Sequence, residues 1–256
     1  ETNIRYYNSE NFIKLLNVNL LYQNGYKISK IAKYSDDTLL LKVKELTSNK
    51  AMEEGALNDF KVTMLNFDVV LFNETYNKLL AQKSFREIFR DVFMPLLEHI
   101  GFLWQTKSIN PVNEHFISNL IAQKIQSNID RNQSISAVNT EKVFVLYLPM
   151  GEIHELGLLY LHYELTLRNF KSIYLGQNIA LEAIQDLKTL YNSIHFISYF
   201  TVQPPKKEIN SYLLQVQEKL LNNAVNNFWF LGRKSIGYNS TSANIKAFKT
   251  IDELLK

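Results

Sequence analysis

The chain has no cysteine among its 256 residues. Disulfides and thiolate metal sites are therefore excluded, which fits a reducing, cytoplasmic setting. Glycine and proline are scarce, at 8 and 5 residues, so long stretches lack the residues that interrupt regular structure. No apolar run approaches the roughly 18 residues a membrane helix needs. Neither a membrane span nor a secretory leader is expected. Charge of one sign is also lacking: 28 basic residues stand against 25 acidic ones, a net of +3. That is too little to argue for nucleic acid on electrostatics alone. No Ser-His-Asp order, phosphate loop or paired-acid motif stands out, and the chain is not expected to be an enzyme. What is present is an apolar content of 46%, enough to bury an ordinary core.

Three textures follow one another. Residues 1–45 open with Thr2-Asn3-Ile4-Arg5-Tyr6-Tyr7, a short extended piece. Asn8 or Ser9 can cap a helix whose apolar residues Phe12, Leu15, Leu16 and Leu20 fall at helical spacing. Gly25 is a natural stop, and a short helix is predicted over Ile28 to Tyr34. Residues 50–132 read as an up-down four-helix bundle: Leu57 to Asn66, Val69 to Leu80, Ser84 to Trp104 with Ser84 and Glu87 as a capping box, and a fourth helix from Asn110-Pro111. The polar stretch Asn128 to Asn139 is the expected linker.

From about residue 140 strands and helices alternate to 256. Val143 to Leu148, Ser172 to Leu175, His195 to Phe200 and Asn227 to Leu231 read as strands, and Phe248 to Ile251 as a fifth. The class is therefore α plus α/β, a helical bundle followed by a doubly wound parallel sheet of Rossmann-like, flavodoxin-like type. Five of the eight glycines lie in this half, mostly just past strand ends, where such sheets bind ligands.

After the first strand comes Glu152-Ile153-His154-Glu155-Leu156-Gly157. A neutral imidazole is a good metal ligand, and a carboxylate on its other nitrogen fixes the tautomer. Gly157 would let a helix or a bulky ring approach the backbone closely. The alternative is a surface loop histidine with no ligand. No second histidine sits at ligand spacing, and His162, eight residues on, reads as a helix-surface residue. A metal at His154 would therefore need its other ligands from a cofactor.

Glu152-x-His154-x-x-Gly157 resembles the acid-x-His-x-x-Gly motif of cobalamin-binding domains that hold the cofactor base-off, His-on. The resemblance covers roughly residues 141–256. It implies that His154 is the lower ligand of cobalt in place of the cofactor's own dimethylbenzimidazole tail. It also implies that the tail runs into the sheet past small residues, here Ser198 and Gly232. Leu175-Gly176-Gln177 is similar to the family as well. Many members carry two glycines after the fourth strand, whereas this chain has Leu231-Gly232-Arg233.

Trp104, nine residues and then Glu114-His115 resembles the cap of the CarH and LitR group of MerR-type photoreceptor regulators. That resemblance implies a bundle over the upper face of adenosylcobalamin, with Trp104, Glu114 and His115 near the adenosyl group. A buried bundle tryptophan beside an acidic first helical turn is the other reading. Gln105 stands where photoreceptor members often carry a histidine. Arg5-Tyr6-Tyr7 resembles the wing of a MerR-type DNA-binding domain, with Arg5 and Tyr7 as DNA contacts. An arm with two docking helices is the alternative. Together these resemblances imply a truncated cobalamin-dependent regulator, light-responsive, homo-oligomeric as a dimer or tetramer, and DNA-binding when full-length. A corrinoid carrier for methyl transfer, and a regulator that uses the fold without cofactor, are the competing readings.

Overall fold

The computed structural model describes residues 9–105, 110–133, 139–221, 225–238 and 242–256. Arg5 and Tyr7 lie outside them. The chain forms two compact units, Glu1–Ile117 and Ser118–Lys256, divided inside a helix.

The first unit is helical. Helix α1 (Ser9–Gln23) ends before Gly25, whose φ of +87° is the left-handed conformation anticipated there. Helix α2 is only Ile28–Ile31. Helix α3 spans Asp36–Asn66 without interruption, a far earlier start than Leu57. Ser35 accepts the Thr38 N–H at 3.2 Å, and Asp36 and Asp37 sit in the first turn. That cap and those charges favour a start here, while the polar run from 42 to 55 hides the helix from an apolar-stripe reading.

Helix α4 is Val69–Leu80, started by Asp68, whose carboxylate accepts from Leu71 N at 2.9 Å. Helix α5 (Phe85–Ile88) begins with the expected Ser84–Glu87 capping box. A widened π turn over Phe89–Phe93 follows, then α6 (Met94–Gln105). Pro95 accounts for the widening: it has no N–H to donate back, and its ring crowds the preceding turn. Helix α7 is Pro111–Gln133, and Asn110 Oδ1 accepts from Val112 N at 3.0 Å as its cap. The linker expected from Asn128 is thus helical as far as Gln133. Rings of Phe60, Phe72, Tyr76 and Phe93 pack together within the first unit, and Asn113 Nδ2 donates to Met64 O at 2.9 Å, pinning the start of α7 to the end of α3.

The second unit carries a five-stranded parallel sheet in the order β2-β1-β3-β4-β5. Its strands are β1 (Asn139–Pro149), β2 (Phe170–Ile179), β3 (Ile194–Tyr199), β4 (Asn227–Leu231) and β5 (Ile245–Ala247). The fifth strand thus lies just ahead of the expected Phe248 to Ile251, where the chain turns into helix α11 (Ile251–Leu254) behind a Thr250 cap. Helices α8 (Leu156–Leu167), α9 (Leu181–Ile184) and α10 (Ile209–Leu220) complete the unit.

Burial on both faces follows from the side-chain alternation of a strand. Val143, Val145 and Tyr147 of β1 join Phe196, Phe228 and Phe230 under α9 and α10. Phe144, Leu146 and Leu148 point the other way, with Ile197 and Leu231, under α8 and α11. Neighbouring β1 and β3 carry crossovers to opposite faces, so their carboxyl ends diverge. That crevice is where open α/β sheets take ligands. Among the described residues, no helix is long and apolar enough to cross a membrane.

Candidate functional site

The loop leaving β1 carries Glu152 and His154 to this crevice. Glu152 is fully buried, yet it is charged, and every contact explains why. Its Oε1 accepts from Ile153 N at 3.0 Å, His154 N at 3.1 Å and His154 Nδ1 at 2.6 Å. Its Oε2 accepts from the backbone N–H groups of Thr201, Val202 and Gln203 at 3.1, 2.6 and 2.8 Å. One carboxylate thus ties the loop after β1 to the loop after β3, across the switch point. Burial is the largest single influence on this acid and would raise its pKa. The hydrogen bonds from His154, Gln203 and Val202 together outweigh it and lower the carboxyl to about 2. Lys234 supports the second loop by donating to Val202 O and, at 2.5 Å, to Pro204 O. On the other side, Asn178 Oδ1 accepts from Gly151 N at 2.8 Å.

The His154 side chain is 44% exposed and turned out of the protein interior, with its Nδ1 held by Glu152. This is the arrangement in which a carboxylate orients an imidazole for coordination through Nε2. Among the described residues, no cluster of three or more His, Cys, Asp or Glu could hold a bare metal ion. The remaining ligands would have to come with the metal, as a corrin ring supplies them, and the exposed ring fits that requirement.

The small residues behave differently. A side-chain Cβ at Gly157, in the first turn of α8, would lie 2.8 Å from two ring atoms of Tyr199. The glycine does let a bulky ring approach, but the ring is the protein's own. Ser198 is buried and its hydroxyl donates to Tyr147 O at 2.8 Å. Gly232 has φ +100° and ψ 178°, and a Cβ there would lie 2.4 Å from Phe200 O. Only glycine adopts that conformation without strain. Gly232→Ala is expected to lower unfolding free energy by about 3 kcal/mol or more, read from the urea midpoint. Arg233, beside it, is exposed.

His162 was expected on a helix surface and is instead buried: α8 is covered on nearly every side. Its Nδ1 shares a 3.0 Å hydrogen bond with Ser172 Oγ, the ring stacks on Tyr174, and burial lowers its pKa to about 4. Tyr174 in turn donates to Glu155 at 2.8 Å, just ahead of α8. In the first unit, Glu114 is half-buried and His115 exposed in the first turn of α7. Trp104 lies in the last turn of α6, and its side chain, like that of Gln105, is outside the described residues. Sequence reasoning missed Tyr199 and the three N–H donors of residues 201–203. Backbone donors leave no trace in residue type.

Residues 56–127 match the B12 binding domain family. The match supports a cobalamin or corrinoid cofactor, over less than half of the chain. No curated protein matches. Among solved structures, the monomethylamine corrinoid protein of Methanosarcina barkeri is similar in fold. Its TM-score is 0.57 at 12% identity, over 78% of this chain and 95% of that one. A cobalamin-binding protein from Desulfitobacterium hafniense DCB-2 aligns at 13% identity over 78% of this chain and 95% of its own, with TM-score 0.37. The methanol:cobalamin methyltransferase complex of Methanosarcina barkeri aligns at 13% identity over 97% of this chain and 90% of that one, with TM-score 0.33. The last two scores are too low to indicate a shared arrangement.

Proposed function

We propose that this chain binds a corrinoid through His154 and uses it as a regulatory ligand rather than as a catalyst. The observation that carries the reading is the exposed imidazole at the sheet's switch point, its Nδ1 held at 2.6 Å by a buried, ionised Glu152. A corrin would supply the other cobalt ligands, with the ring resting over the loop after β1. The spacing of Trp104, Glu114 and His115 and the Arg5-Tyr6-Tyr7 opening support a regulator that senses an adenosyl upper ligand. Such a ligand acts by binding one arrangement of the chain more tightly than another. DNA binding, self-association and response to light belong to this proposal.

A methyl-transfer carrier is the second reading, favoured by the fold shared with the monomethylamine corrinoid protein. Purified protein should be mixed in the dark with adenosylcobalamin, methylcobalamin and the cobinamide counterpart of each. The regulator reading expects the adenosyl forms alone to change oligomer size on a sizing column. Binding of either form with no change in size favours the carrier. Unaltered spectra with all four would remove the cofactor from the account.

A further inference from the structure

If the corrin sits on His154, anything hanging from its lower face must enter between the start of α8 and the ends of β3 and β4. Gly157 faces that path, Ser198 and Gly232 stand at the strand ends beside it, and none of the three leaves an opening. At Gly157 the space of the missing side chain is taken by the Tyr199 ring, with Cε2 and Cζ 2.8 Å and Cδ2 3.2 Å from where a Cβ would stand. Ser198 is fully buried and its hydroxyl is engaged with Tyr147 O. Gly232 is pressed against the Phe200 carbonyl.

Nor is Tyr199 on a free loop. It is the last residue of β3, paired with Leu231 of β4, and the next residue continues the contact through Phe200 N to Leu231 O at 2.8 Å. Its ring packs on the apolar cluster that holds Leu146, Leu148, Leu158 and Ile197. The half-buried ring occupies the space that a second ring system would need, so a tail could enter there only by displacing it.

We propose that Tyr199 closes the path of a nucleotide tail, so that the protein grips a corrinoid by ring and cobalt alone and prefers tail-less corrinoids of the cobinamide class to complete cobalamin. This rests on the reading that His154 ligates cobalt.

Aquocobinamide and aquocobalamin should be titrated separately into the full chain, with affinity from equilibrium dialysis and ligation from the visible spectrum. Cobalamin must also release its own base, so the decisive quantity is how the ratio of the two affinities changes on substitution. In Tyr199→Ala, cobalamin affinity should rise by about tenfold or more, while cobinamide affinity holds within about threefold. Tyr199→Phe keeps the ring and should keep the ratio of the unaltered protein. Tyr199→Leu, which better preserves the packing, should shift the ratio as Tyr199→Ala does, and it replaces Tyr199→Ala where circular dichroism shows that variant unfolded. One ratio shared by the unaltered protein and all variants overturns the proposal, while His154-dependent cobinamide binding would leave the ligand reading standing. Failure of both corrinoids to bind overturns both.

Discussion

His154→Ala should leave a folded protein that no longer alters the visible spectrum of an added corrinoid. The side chain is 44% exposed, and the contact it brings to the site is the hydrogen bond from Nδ1 to Glu152. Its loss should therefore cost about 1 kcal/mol in unfolding free energy. Affinity for aquocobinamide should drop by more than about 100-fold, beyond what the loss of an outer partner of a metal ligand usually costs. Titration followed by absorbance checks this. Undiminished binding in the variant would mean that the imidazole is not on the cobalt, and the proposed function would lose its basis.

Glu152→Gln is expected to produce the opposite pattern, a damaged fold first and a weakened site as a consequence. The amide keeps the shape but turns an NH2 group toward donors that need an acceptor, either the three N–H groups of residues 201–203 or those of Ile153 and His154. These part-buried donors, left without partners, cost on the order of 3 kcal/mol together. The same group sets an acid dependence. The folded environment lowers its pKa to about 2, and unfolded it returns to the ordinary glutamate value of 4.5. A depressed folded pKa means the contribution is complete above about pH 4.5 and is lost as pH falls toward 2, by about 3 kcal/mol. Urea midpoints measured through that window should fall for the native chain and be flatter for Glu152→Gln. Equal slopes would show that the carboxylate is not ionised in the folded state. Because the pair acts together, corrinoid affinity in Glu152→Gln should also fall, by about 10- to 100-fold.

Much of the sheet half was legible because its signals are local. Val143 to Leu148 is apolar at every position, as a strand covered on both faces must be, and its structure is the inner strand β1. The Ser84–Glu87 box and the Asn110-Pro111 start also read correctly, since a cap is chemistry within three or four residues. The beginning of α3 was not legible: Ser35, Asp36 and Asp37 start it, but the polar turns that follow carry no stripe. At the site, the motif placed Glu152 beside His154, and that contact is present. It could not show that Oε2 reaches residues 201–203, about fifty positions along the chain. Nor could it show that the Tyr199 ring lies against Gly157. His162 failed for the same reason: helical spacing says which residues share a face, not how many faces are covered.

The order of the strands has a bearing on amide exchange. β1 and β3 are inner strands, each hydrogen-bonded on both sides, while β2 and β5 form the two margins of the sheet. Fraying at β2 would free Gly151 from Asn178 but would not part Glu152 from residues 201–203. Those three amides should therefore exchange with solvent nearly as slowly as the centre of the sheet, although they lie in a loop. A histidine loop fastened in this way keeps its aim through the partial openings that loosen the margins.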